Sequence, residues 1–327
     1  MNIESLKKGS TVIGDSGSDP KTPPDWMDLE RFKRGQQFFQ RHIAAISFSL
    51  HCSLIAGFEV TNLVQPLAFT KKSDTAPRAL RRYLKTFVHV FLWHTDNVWD
   101  ETTHGHRSTQ KVRKMHNAVR RNMTSQIPTE SHLTQYDMAL VQAEFMASVL
   151  MYPSNFGIKC TKEELEDSVF FWRGIGYLLG IKDEFNICSG NYDETYRVCK
   201  EIGYEIVYRS LLKPAPKYET LSTACINGVN LIHKFQMFTR ESIIAFGLRF
   251  TGLSIPSFTL SWTDSLRVWC FRCMIFLIRW MPGFEKLTNY IFRSFIMSIL
   301  SNQYKELARE DATFYKHQAI SSYQCPL

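Results

Sequence analysis

The sequence predicts an all-α protein, on three observations. Apolar residues recur at three- and four-residue spacing through most of the chain from residue 26 onward. Helix-starting and helix-stopping residues punctuate these runs. No segment alternates with the two-residue period of a strand, and no repeat is present.

The first 25 residues are polar, rich in Gly, Ser, Asp and Pro, and end at Pro23-Pro24. They read as a disordered tail, without the charged and apolar regions of a signal peptide. From Trp26 the pattern turns helical, with Leu29, Phe32, Gln36, Phe39 and Ile43 on one side. Residues 42–70 read as one or two buried helices broken near Pro66, and residues 71–78 as a polar loop. Residues 78–93 form a helix with Leu80, Leu84, Phe87, Val88 and Phe91 along one side. A His- and Thr-rich loop, 94–108, leads to helices over 109–123 and 134–152. Thr161 with Glu164 three residues later is a capping box, and Gly180 stops the helix it opens. Further helices are expected over 192–212, 218–235, 240–251, 264–281 and 284–308, the last two separated at Pro282-Gly283. The division is a tail (1–25), one helical domain (26–260) and a C-terminal amphipathic helical extension (261–327).

The formal charge is +8, but the basic residues are scattered and no nucleic-acid-reading module is present, so nucleic acid is not an expected partner. Of eight cysteines only Cys270 and Cys273 form a CxxC, and no second pair completes a zinc site. This fits reduced thiols in a cytoplasmic protein. Residues 42–58 are apolar yet hold His42, His51 and several serines, and read as a buried helix. Residues 266–281 carry Arg267, Arg272 and Arg279, each costing about 3 kcal/mol near a bilayer centre. That stretch reads as a basic amphipathic helix lying on a membrane surface, the ER membrane included, or packed on the domain.

Two helices carry residues suited to chemistry. Val112, His116 and Val119 share a face, so the histidine points inward among apolar neighbours. Arg113 and Arg120 stand one turn to either side. Such a histidine can bind iron while the guanidiniums pair with carboxylates. Taken alone it equally describes a core histidine whose arginines reach solvent, the commoner case. On the preceding helix Arg82, Lys85 and Thr86 share a face. A desolvated lysine there would lose its proton readily, although a solvated helix edge has the same pattern. His94, His104 and His106 flank a loop with Asp96, Asp100 and Glu101, a weak metal pattern. Glu144 lies on the 134–152 helix, where a surface carboxylate is the ordinary reading.

Taken together, these segments are similar to the rubber oxygenase (latex clearing protein) and MpaB-type ER-bound oxygenase family. The resemblance rests on Arg82-x-x-Lys85-Thr86 followed by Val112-Arg113-x-Met115-His116-x-x-Val119-Arg120. It is joined by Glu30-Arg31-Phe32-x-Arg34-Gly35-Gln36-x-Phe38-Phe39 and by Phe171-Trp172-Arg173-x-Ile175-Gly176-Tyr177, with Asp183-Glu184 after it. It covers roughly residues 26–255. It implies a globin-like helical fold holding haem b, with His116 as the iron ligand and Arg113 and Arg120 near the propionates. It also implies Arg82, Lys85 and Thr86 on the opposite side, with Lys85 able to take the sixth iron position. The expected activity is that of a dioxygenase-type oxidoreductase cleaving a C=C bond of an isoprenoid or other unsaturated apolar substrate with dioxygen. The chain departs from the rubber-cleaving pattern in one respect. Their glutamate base precedes the Arg-Lys-Thr helix, whereas the nearest glutamate here, Glu59, is too far upstream. A non-catalytic haem or lipid carrier on the same fold therefore stays open, as does a membrane-surface protein dominated by its C-terminal helices.

Overall fold

The computed structural model describes residues 1–232, 236–255 and 259–299. The described chain is helical throughout, with a single isolated β-bridge, Ile13 to Thr134. In order the helices are α1 (Ile3–Lys7), α2 (Leu29–Arg41), α3 (Ile43–Gly57), α4 (Thr61–Thr70), α5 (Ala76–Thr95), α6 (His104–Gln126) and α7 (Gln135–Met151). They continue with α8 (Lys162–Leu178), α9 (Tyr192–Ile202), α10 (Arg209–Leu212), α11 (Tyr218–Asn230), α12 (Arg240–Thr251) and α13 (Trp262–Trp280). A π-helical turn, Gly203–Tyr208, joins α9 to α10, and residues 284–299 are helical.

Local chemistry sets the boundaries. The Asp28 carboxylate accepts from the Glu30 and Arg31 amides and starts α2. Thr161 and Glu164 form the anticipated capping box of α8, and Gly180 takes a φ of +94° just past its end. Pro66 does not break the chain. It sits inside α4, and the break falls earlier, between Gly57 and Thr61, where α3 and α4 meet at 92°. Tight amide bonds from Glu59 to Ala56 and from Val60 to Gly57 make that corner. Among the described residues no single helix is long and apolar enough to cross a membrane. The bent α3–α4 pair together has the length and composition, but α3 buries Ile43, Ile46 and Ile55 in the core.

The α2–α8 pair is the scaffold. Phe32 of α2 packs on Phe171 of α8, and Phe38 and Phe39 enter the same core. Arg31 and Arg34 both grip the buried carboxylate of Asp167, at 3.3 and 2.7 Å. Gly35 is required here, since a Cβ on it would stand 2.4 Å from the Asp167 carbonyl oxygen. Gln36 donates to the carbonyls of Trp93 and Asp96, which ties the end of α5 to the same scaffold.

Two expectations are corrected. Residues 1–25 are not a loose tail: Leu6 is fully buried, and the Gly14 amide donates to Leu133, the Gln135 amide to Val12 and the Ser16 amide to Gly180. Apolar Ile3 and Leu6, too few to register as a pattern, anchor the segment, and Asp15 gives it an ionic partner inside the body. Nor do residues 284–299 of the C-terminal extension stand apart as an appendage; they pack on the domain. Asn289 brackets the α2–α3 junction, donating to Arg41 and accepting from the Ala44 amide, while Glu285 lies 2.5 Å from His42. Residues 300–308, expected to complete the last helix, lie outside the described residues.

Asp15 generates a stability prediction. Burial alone would raise its pKa, but hydrogen bonds from Arg113, the Gly17 amide and Asn117 outweigh burial and hold the carboxyl below its ordinary value. A depressed carboxylate stabilises the fold above its unfolded pKa, and the contribution is lost as pH falls through the folded value. Asp15→Asn should therefore destabilise the protein by roughly 1–3 kcal/mol at pH 7. The difference from wild type, measured by urea unfolding, should shrink in acid below about pH 4.

Candidate active site

Helices α5 and α6 form an antiparallel hairpin whose register is set by one hydroxyl. Ser108 Oγ accepts from Trp93 Nε1 at 3.0 Å and stands 2.8 Å from His89 Nδ1. At the turn, the Asp96 carboxylate accepts from the Gly105 amide, and a Cβ on Gly105 would collide with the Asp96 side chain. His116 lies eight residues beyond Ser108, about 12 Å along α6. An equal step back along α5 from His89 and Trp93 reaches the turn of Arg82 to Thr86. The hairpin thus brings level two groups of residues that are thirty positions apart in sequence.

They meet in one large cavity of about 2190 Å³, walled by α3 to α8, by α13 and by residues 284–299. His116, Arg82, Lys85 and Thr86 all line it. Its volume exceeds the roughly 300–1,000 Å³ of ordinary small-molecule pockets. The His116 ring is held neutral, its pKa pushed down to about 4 by burial and further by the Arg82 guanidinium. Its Nδ1 is enclosed without a hydrogen-bond partner. Arg82 donates to the Thr70 hydroxyl at 2.9 Å, and among the described residues no carboxylate neutralises it. Burial lowers its pKa. Lys85 is exposed at the cavity edge rather than desolvated. Lys71, Lys72, Arg78, Arg81 and Lys111 also line the cavity, so this side carries a cationic rim.

Arg113 and Arg120 are elsewhere. Arg113 is buried, donates to Asp15 at 2.5 Å and to the Ser18 carbonyl at 3.0 Å, and does not line the cavity. Arg120 does not line it either and feels the same Asp15. Helix geometry explains this. At about 100° per residue, positions three before and four after His116 are rotated to the same side of it, by about 40–60°. Asn117, rotated the same way, also donates to Asp15. Val112, Met115 and Val119 are rotated the other way, and they face the cavity. The two arginines do not bracket the histidine. Arg113 holds the N-terminal segment.

The other weighed residues separate cleanly. His94 is buried, stacks 3.8 Å from the Phe39 ring and pairs Nδ1 with the Val90 carbonyl. His106 does the same with the Val98 carbonyl. These are core histidines, and among the described residues no cluster of three His, Cys, Asp or Glu can hold a bare metal ion. Glu59 is buried beside Tyr218, outside the cavity wall, and burial raises its pKa to about 7. Glu144 lines the cavity and is not a surface carboxylate.

Residues not anticipated also face the cavity: His89, His51 and Tyr83. His89 is kept neutral, at about 4, by burial and then by Lys111, Lys85 and His116. Its helical spacing from Lys85 was the available signal, one turn further along the Arg82–Thr86 face.

Among solved structures, one titled "Structure of Latex Clearing Protein LCP in the closed state" superimposes with a TM-score of 0.62. It covers 90% of this chain and 85% of its own, at 15% sequence identity. A search of curated protein sequences finds no match. Residues 38–204, just over half the chain, match the family described as "ER-bound oxygenase mpaB/B'/Rubber oxygenase, catalytic domain". That span contains the α5–α6 hairpin with Arg82, Lys85, Thr86 and His116, and on it the chain belongs to the mpaB and rubber oxygenase family.

Proposed function

We propose that the chain is a haem b-dependent oxygenase that cleaves a C=C bond of a long apolar molecule, an isoprenoid chain being the leading class. The carrying observation is His116: a neutral imidazole, free of protein hydrogen bonds, on the wall of a cavity large enough for a macrocycle and a chain-like substrate together. A neutral ring nitrogen is what iron ligation requires. Haem b, when bound, supplies the dioxygen chemistry. Addition of both oxygen atoms across the double bond yields two carbonyls, so the overall change needs no external electron donor.

The chain's own residues do the rest. Arg82, without a carboxylate partner among the described residues, and the exposed Lys85 would hold the propionate carboxylates. This role moves to them from Arg113, which Asp15 occupies, and from Arg120, which does not line the cavity. Thr86 offers a hydroxyl and His89 a second neutral imidazole on the same helix face. Apolar walls from α3, α4 and α7 exclude water and orient the substrate. Among the described residues nothing accepts from or donates to His116 Nδ1, so no carboxylate behind the imidazole would make it more basic.

The C-terminal helices suit delivery from a bilayer with anionic headgroups. Trp262, Leu266, Trp269, Phe276 and Trp280 run along one outward face of α13, and Trp262 is 78% exposed. Leu287, Tyr290 and Ile291 of the following helix are likewise exposed. Asp264 is tied to Arg267, Ser261 and Thr239, and Glu285 to His42, so neither acidic group opposes Arg272, Lys286 and Arg293. Trp262, Leu266 and Ile291 also wall the cavity.

Two measurements test this reading. The purified full chain should show a Soret band with stoichiometric iron, and His116→Ala should lose the band while keeping its helical circular dichroism. A well-folded wild-type protein that never takes up haemin overturns the cofactor assignment. The full chain should also co-sediment with vesicles containing phosphatidylserine more than with neutral ones, and Trp269→Glu with Phe276→Glu should abolish this. Binding that neither the lipid charge nor these substitutions change would refute the docking face.

A further inference from the structure

The cavity holds a polar spot that the proposed haem ligation does not use. Glu144 projects from α7 into it, and among the described residues it makes no hydrogen bond or ion pair. Room for its carboxyl is left by Gly57 of α3, where a Cβ would stand 2.8 Å from Oε1. From α5 the buried Tyr83 hydroxyl lies nearby, also lining the cavity, with the Ser73 hydroxyl beside it. Cys225 of α11 feels the Glu144 charge, and the Arg82 guanidinium acts on Tyr83 from the same helix.

A lone carboxyl in an apolar wall is costly. A cavity shaped only for hydrocarbon gains nothing from it, whereas one that must seat an oxygen-bearing end gains a hydrogen-bond donor. We infer that Glu144, seconded by Tyr83, is the polar anchor of the cavity: a neutral carboxylic acid donating to a carbonyl or hydroxyl oxygen on an otherwise apolar ligand. The ligand class is thereby an oxygen-functionalised apolar chain, not a pure hydrocarbon polymer. This rests on the reading of the cavity as the substrate site.

Protonation agrees with that role. Burial alone raises the Glu144 pKa to about 8, and no charged group acts on it from the elements packed around α7. Burial also raises Tyr83 and Cys225, so both stay protonated through this range. The carboxyl therefore donates below about pH 8 and loses that ability above it.

The test uses the full-length protein and a neutral fluorophore, N-phenyl-1-naphthylamine, displaced by either farnesylacetone, a ketone, or the hydrocarbon β-farnesene. Wild type should favour the ketone by about three- to tenfold at pH 6.5, the worth of one net hydrogen bond. The preference should fade between pH 7.5 and 9. Glu144→Gln, which keeps an N–H donor, should retain the preference without the pH dependence, and Glu144→Leu should bind both ligands alike. An unchanged ketone preference in folded Glu144→Leu overturns the anchor. So does failure of wild type to bind either ligand, which also removes the substrate reading, while the haem assignment is judged separately by the Soret band.

Discussion

Ser108 accepts the indole proton of Trp93 and meets the imidazole of His89, and through that junction α5 is locked in register against α6. Each such bond contributes only about 1 kcal/mol net, but a buried donor left unpaired costs more. A slip of one residue along either helix would orphan the indole, so the register is held by what a slip would cost. With the register fixed, about 12 Å of helix on each side places His116 level with Arg82 and Thr86. Gln36 on the α5 carboxyl end and Asp96 on the α6 start extend the same constraint to the α2–α8 scaffold.

Desolvation then decides the chemistry of the cavity. The same apolar walls that keep His116 and His89 neutral keep Glu144 protonated. They leave Arg82 charged without a carboxylate partner. A neutral ring nitrogen, a cation without a carboxylate partner among the described residues and a neutral acid thus share one cavity. Where carboxylates do enter, as at Asp15 and Asp167, each meets arginine and serves the architecture.

Much of this was legible in the sequence. The capping pair Thr161 and Glu164, the stop at Gly180, and the shared face of Arg82, Lys85 and Thr86 are local features with local causes. So is the inward direction of His116. The partner of Arg113 was not legible, because Asp15 comes from nearly a hundred residues away in a segment whose composition suggests disorder. Two arginines three before and four after a histidine look like brackets in a linear reading, yet on a helix they fall on one side. Glu144 reads as an ordinary surface residue because nothing local shows that α3 presents a glycine opposite it. The C-terminal helices read as an appendage, since their inward face is recognised only once α2 and α3 offer it a surface. The Arg31–Gln36 and Phe171–Tyr177 motifs carry the family resemblance, but Arg31, Arg34 and Gly35 hold the α2–α8 interface rather than the cavity.

The central claim is that the His116 imidazole, and no other side chain on the cavity wall, is the protein ligand to a haem iron. His116→Gly reconstituted with haemin and titrated with free imidazole tests it most directly. The account predicts that the glycine variant loses the wild-type Soret position and ligand-field bands, and that imidazole restores both in a saturable manner. A glycine variant whose spectrum matches wild type without imidazole would contradict it, and would turn attention to His89 or His51.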